Sequence, residues 1–205
     1  MGFTVGLVLF DDAEELDWVG PFEVFTMARQ VAGGTGAAAD LRVVLLSETG
    51  GVVRGAKGMR VEVDASFADA APLDLLLVPG GIGTRVEMQN EAMLGFLRKA
   101  SGNCEWVTSV CTGSAVLERA GLARGKRITT HWAYVPTLRE TAGDDVTVLE
   151  KVRYVRDGNL VTSAGVSAGI DMALWLVGQL FGVDHARQTQ LFMEYDPAPP
   201  YPAEV

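Results

Sequence analysis

Cysteine and histidine are scarce: two of each occur in 205 residues. That excludes a disulfide framework, and no His/Cys cluster is spaced for a metal ion, so no metal and no cofactor is expected. Basic residues are also in deficit. With 17 Lys and Arg against 26 Asp and Glu, the net charge is -9 and no Lys/Arg cluster exists. A phosphate backbone needs such a patch, so nucleic acid is not an expected partner. No apolar run is long enough to span a membrane. Met1 to Phe10 is apolar but lacks a basic flank and a small-residue cleavage site, and Asp11 and Asp12 end it at once. It reads as a buried first strand and not as a signal peptide, which makes a reducing cytoplasm the simplest compartment. Internal repeats and linkers are missing too. Residues 1–205 read as one domain, 48% hydrophobic and 21% charged, with ample length to bury a core.

What is present centres on Cys111. Trp106 to Val110 is short, apolar and β-branched enough for a buried strand, and Ala115, Val116, Leu117 and Ala120 then follow helical spacing up to the stop at Gly121. Cys111 thus falls on a sharp strand-to-helix turn, a nucleophile elbow. The first free amides of the helix and its dipole favour negative charge, so the thiol is expected to lose its proton more readily than in water. Thr112, Gly113, Ser114 and Ala115 leave room above the sulfur. A buried, inert cysteine is the competing reading. Cys104, which lies before the strand with no helix opening over it, reads as structural.

The rest of the chain alternates strands and helices. Asp11 to Val19 is a loop running into a helix that begins near Gly20, with Pro21 in its first turn. Asp17 is either a cap for that helix or a site carboxylate at the carboxyl end of the first strand, where open α/β sheets place their ligands. Leu41 to Leu46 is a second strand, after a connection over Ala32 to Asp40. Val52 to Asp64 reads as a small hairpin, and Asp74 to Val78 as a buried strand closing on Pro79-Gly80-Gly81, whose amides suit an oxyanion hole. Asn90 to Ala100 is a helix. Lys126 to Trp132 is another strand end, and His131 there is either a general base for a Cys/His pair or a packed core residue. His185 falls in a terminal polar helix. Val152 to Thr162 is a hairpin turning at Asp157-Gly158, followed by small residues and an apolar helix through Phe181. Trp18, Trp132, Phe192 and Tyr195 are candidate pocket lining as well as candidate core or interface. The proline-rich stretch Asp196 to Pro202 is expected to lie extended.

Five strings in this order, Leu16 to Phe25, Pro79-Gly80-Gly81, Ser109 to Ser114, Thr129-Thr130-His131-Trp132 and Ala164 to Asp171, resemble the ThiJ/PfpI superfamily. Within it, the aspartate of Leu-Asp-x-x-Gly-Pro and the threonine after the cysteine are similar to the isonitrile hydratases. The resemblance implies a class I glutamine amidotransferase-like fold: an α/β, flavodoxin-like three-layer sandwich with a mostly parallel central sheet. It also implies a homodimer, a Cys111 nucleophile, an Asp17 acid/base partner, amides at Gly81, Ile82 and Thr112 facing the reacting group, and a turn from Ala164 to Val166 donating toward the thiolate. Thr112 stands where peptidase-like members have histidine, which removes the usual Cys/His pair.

The implied activity is addition of water to an isocyanide, giving an N-substituted formamide. Cys111 would attack the terminal carbon while Asp17 protonates it; water activated by Asp17 would then release the thioimidate, with Thr112 positioning water or carboxyl. Two acids so close should titrate as a pair sharing one proton. The alternatives are a glyoxalase- or deglycase-like enzyme acting on 2-oxoaldehydes, and a non-catalytic ligand- or redox-sensing dimer. The lack of DNA-binding helices after the domain weighs against a transcriptional regulator.

Overall fold

The computed structural model describes residues 2–197. Five strands form the heart of a seven-stranded sheet, buried on both faces except for the first half of the second: β1 (Thr4–Val8), β2 (Arg42–Ser47), β6 (Leu75–Val78), β7 (Trp106–Val110) and β11 (Leu160–Ser163). Runs such as Leu75-Leu76-Leu77-Val78 are continuous and not alternating, as befits strands covered on both sides. The two-residue strand β5 (Ala65–Ser66) and the antiparallel β10 (Tyr154–Asp157) complete the edges, in the order β10-β11-β7-β6-β1-β2-β5. The five long strands are parallel and follow a 2-1-3-4-5 order, the flavodoxin-like arrangement, with its switch point between β1 and β6. The sheet is therefore mixed but mostly parallel, as expected.

Two helical layers cover it. One packs α1 (Glu15–Val31) against α6 (Ala168–Phe181) and α7 (Val183–Phe192); the other gathers α2 (Thr84–Glu87), α3 (Glu91–Ser101) and α4 (Gly113–Arg119). The Asn90 side chain accepts from the amides of Ala92 and Met93 and so fixes the start of α3. Outside the main sheet lie the hairpin β3 (Val52–Arg54) and β4 (Arg60–Glu62), the parallel pair β8 (Arg127–Thr129) and β9 (Thr147–Leu149), and the short helix α5 (Val135–Thr141). Both hairpins fall where the sequence placed them. Among the described residues no helix is long and apolar enough to cross a membrane.

One expectation is overturned at α1. The helix begins at Glu15 and not near Gly20, so Asp17 lies in its first turn and Pro21 in its interior. Proline at this spacing reads as a start signal; inside the helix it forgoes the bond to the Asp17 carbonyl, and its ring packs beside Gly169 of α6. The proline-rich stretch from Asp196 to Pro202 falls largely outside the described residues.

Candidate active site

The site forms where the carboxyl ends of β1, β6, β7 and β11 meet the switch point. Cys111 immediately follows β7 with φ 56°. A non-glycine residue in the left-handed region is held there only by its surroundings. Those surroundings are visible: its amide donates to the carbonyls of Ser163 and Ala164, both at 3.2 Å, and its carbonyl accepts from the hydroxyls of Thr130 at 3.0 Å and Ser114 at 3.2 Å. Underneath, α4 starts so close to β6 that a Cβ on Gly113 would stand 2.2 Å from the Val78 carbonyl oxygen. Glycine is required there by contact.

Asp17 reaches the same place from the first turn of α1. Its side chain is fully buried, with Oδ2 accepting from the Gly80 amide at 2.8 Å and Oδ1 left without a hydrogen-bond partner. Gly80 is the hinge between the two acids: a Cβ there would lie 2.5 Å from the Thr112 nitrogen and 2.7 Å from the Cys111 Cβ. Its carbonyl also accepts from the Glu14 amide at 2.9 Å, tying the β6 loop to the start of α1.

These positions set the acidities. Burial, more than any other cause, lifts the Asp17 carboxyl to about 7, against the opposing pull of the Gly80 amide and with help from the Glu14 charge. Burial and then the Asp17 charge push the Cys111 thiol up to about 12, although the amide and hydroxyl of Thr112 favour the charged sulfur. This reverses the expectation of an acidic thiol. α4 has only seven residues, and its end effect is outweighed by desolvation and by the neighbouring carboxylate. As pH rises through about 7 the pair passes from two protons to one, and the remaining proton rests on sulfur.

Of the other residues singled out, Thr112 sits directly over the Gly80-Gly81 loop. Its Oγ1 accepts from the Gly81 amide at 3.1 Å, so that amide faces the threonine. The Ala164 amide is bonded to the Arg153 carbonyl, and Ala164 meets Cys111 through its own carbonyl. The amides of Ile82 and Val166 have no acceptor among the described residues, and Val166, at φ 52°, is a β-branched residue in the left-handed region. His131 packs its ring on Gly165 and accepts from the Ala133 amide at 3.3 Å through Nδ1. Burial lowers its pKa, and it makes no hydrogen bond to Cys111. His185 bonds the Ala28 carbonyl at 2.9 Å. Cys104 is a free, buried thiol lying against the carbonyls of Leu73 and Ala100, as its structural reading requires. Trp18 is buried, Trp132 is 79% exposed, and the Tyr195 hydroxyl bonds Asp171.

Three contributors carried no signal in the sequence. Thr84, fully buried at the start of α2, donates to the Gly81 carbonyl at 2.7 Å and lies 3.2 Å from the Thr112 hydroxyl. Arg85 donates to both the Gly81 carbonyl and Thr84 Oγ1 at 3.0 Å. Glu15 accepts the Lys57 amide at 2.7 Å and so clamps the β3–β4 hairpin beside α1, where Lys57 also pairs with Glu14. No group of three or more His, Cys, Asp or Glu side chains among the described residues is placed to hold a metal ion. An apolar recess of about 470 Å³ between Phe67, Leu73 and Phe96 shares no residue with this site.

Comparison with known proteins identifies the family and the fold. Residues 4–179 match the model of the DJ-1/PfpI family. The chain is 41% identical over 204 residues to an isonitrile hydratase of Pseudomonas putida, covering 98% of this chain and 82% of that protein. Its fold superimposes on a ThiJ/PfpI family protein from Pseudomonas syringae with a TM-score of 0.88 at 28% identity, over 100% of this chain and 80% of that one. DJ-1beta of Drosophila melanogaster shares the fold with a TM-score of 0.80 at 22% identity, over 96% of this chain and 100% of that one.

Proposed function

Because the chain belongs to the DJ-1/PfpI family, we propose that it works as a cofactor-independent isonitrile hydratase, a lyase that adds water to an isocyanide to give an N-substituted formamide. The observation that carries the reading is the buried Cys111–Asp17 pair, in which the carboxyl gives up its proton at about 7 while the thiol keeps its own, leaving one proton for a nucleophile and a base to share. Near-full-length identity to an isonitrile hydratase supports the substrate class.

An isocyanide is electrophilic and weakly basic at one and the same carbon, so its hydration calls for a nucleophile and a proton donor at one point. As the substrate carbon approaches the sulfur, the thiol proton passes to Asp17 and the thiolate attacks. Asp17 then delivers that proton to the same carbon. The S–C and C–H bonds formed together give a neutral thioimidate, and Asp17 is again a carboxylate. Water enters, gives a proton to Asp17 and adds its oxygen to the thioimidate carbon, while the nitrogen takes a proton from Asp17. Collapse to the formamide carbonyl expels the sulfur, which recovers the remaining hydroxyl proton through Asp17. Thr112 holds the sulfur's charge through its amide and hydroxyl, and the unpaired amides of Ile82 and Val166 are available to an incoming polar group.

A homodimer and a cytoplasmic location belong to the same reading. The apolar side chains of Ile82, Val86 and Trp132, exposed on the lone protomer around the site loops, support the dimer. Two free thiols suit a reducing compartment. The deciding experiment mixes the protein with para-nitrophenyl isocyanide and follows the ultraviolet absorbance of the formamide, beside Cys111→Ala and a methylglyoxal-consumption assay. Formamide production that disappears in Cys111→Ala is expected; Cys111-dependent loss of methylglyoxal without formamide would assign the thiol to 2-oxoaldehydes.

A further inference from the structure

The mechanism leaves open which way the Thr112 hydroxyl points its one proton. Two oxygen acceptors stand around it, the Gly81 carbonyl at 3.2 Å and Thr84 Oγ1 at 3.2 Å, and the Cys111 side chain is its neighbour, since a Cβ on Gly80 would lie 2.8 Å from Thr112 Oγ1 and 2.7 Å from the Cys111 Cβ. A carbonyl oxygen has two lone pairs. That of Gly81 already receives the Thr84 hydroxyl at 2.7 Å, the Arg85 guanidinium at 3.0 Å and the Thr84 amide at 3.3 Å. The shortest of these fixes the Thr84 proton on Gly81. Thr84 Oγ1 is thereby an acceptor only, and Arg85 occupies one of its two places at 3.0 Å. The Gly81 amide, donating to Thr112 Oγ1 at 3.1 Å, completes the inventory.

From this count of donors and lone pairs we propose that Thr84 and Arg85 are positioning residues, which keep the Thr112 hydroxyl proton off the Gly81 carbonyl and hold it ready for the Cys111 sulfur. While the sulfur is a neutral thiol, the single remaining lone pair of Thr84 Oγ1 receives the proton. Once the sulfur becomes anionic, a charge-assisted bond is roughly twice as strong as a neutral one, and the hydroxyl turns to it. The rotation breaks one weak hydrogen bond and moves no proton between atoms. Arg85 is itself braced, its guanidinium lying 4.8 Å from the centre of the Tyr134 ring, so the arrangement joins the β6 loop to the segment after β8. Thr84 is fully buried at the start of α2, just after a glycine-rich loop, where a buried hydroxyl needs such partners to persist.

The inference rests on Cys111 reacting as a thiolate, and its test reads that property without any isocyanide. The rate of Cys111 alkylation by iodoacetamide is followed against pH by mass spectrometry of its peptide, which separates it from Cys104. Thr84→Val removes both the shortest donor to the Gly81 carbonyl and the other oxygen acceptor beside the Thr112 hydroxyl, which then settles on that carbonyl at 3.2 Å in competition with the longer Thr84 amide bond at 3.3 Å. Alkylation should slow on the order of tenfold at a given pH, with the profile displaced upward by about one pH unit. Thr84→Ser should restore it, and exposed Arg85→Met should give a smaller displacement of the same sign. In a Thr112→Val background, Thr84→Val should add nothing, because the proton it directs is gone. An unchanged profile for both Thr84→Val and Arg85→Met, or an equal displacement in the Thr112→Val background, would overturn the proposal. A normal alkylation profile in a protein that turns over no isocyanide would instead count against the hydratase reading alone.

Discussion

An aspartate whose side chain is sealed from solvent and bonded to one amide bears a charge at a cost, and Asp17 shows where that cost falls. Its carboxyl, lifted from an ordinary value near 3.8 to about 7, binds its proton more tightly in the folded than in the unfolded chain. The stabilising contribution of that proton is complete below about pH 4 and is lost as pH rises through about 7. Asp17→Asn should therefore be more stable than the parent protein above pH 7, by about 4 kcal/mol at most, and should converge with it below pH 4. Thermal unfolding at pH 4 and pH 8 measures this. The same substitution should lower kcat/KM on the order of 10²–10⁴-fold. In the parent, kcat/KM should rise with pH through about 7, where the pair gives up its first proton, and then stay level to pH 9 because the second resides on a thiol near 12. A fall in kcat/KM between pH 6 and pH 8 would contradict this proton inventory.

At the scale of single elements, the glycines divide by what surrounds them. Gly80 has the backbone of the elbow within 2.5 Å of any added Cβ, whereas Gly95, midway along α3, has nothing within 4 Å. Gly80→Ala should cost about 1–3 kcal/mol and most of the activity, because the strain falls on the Thr112 nitrogen and the Cys111 Cβ. Gly95→Ala should raise stability by about 0.5–1 kcal/mol and leave turnover alone. Paired melting curves and rates settle both. The elbow was legible in sequence, since a β-branched run followed by small residues at helical spacing carries its own periodicity. So were both hairpins and the strand ahead of Pro79. The start of α1 was not, because Pro21 imitates a start signal and only packing against α6 lets it sit inside. Thr84, Arg85 and Glu15 were invisible for a different reason: each works through a partner in another chain segment, and one-dimensional spacing does not encode that. The acidity of Cys111 is not legible in sequence, because the short helix shows in the pattern and the desolvation around it does not.

For the molecule as a whole, Ile82, Val86 and Trp132 leave apolar surface bare around the site, in a chain of net charge -9. Charge of one sign keeps copies apart unless a specific apolar patch brings them together. Sedimentation should give a species of two chains at micromolar concentration, and Trp132→Arg should shift it toward one. Turnover can be read in the same samples. The parallel pairings β6–β7 and β7–β11 join residues 75–78, 106–110 and 160–163, and the acid comes from residue 17. Sequence separations of this size close slowly, and local helices form long before them. During refolding, recovery of catalysis should then trail recovery of the circular dichroism signal, which makes isocyanide turnover a clock for the last step of assembly.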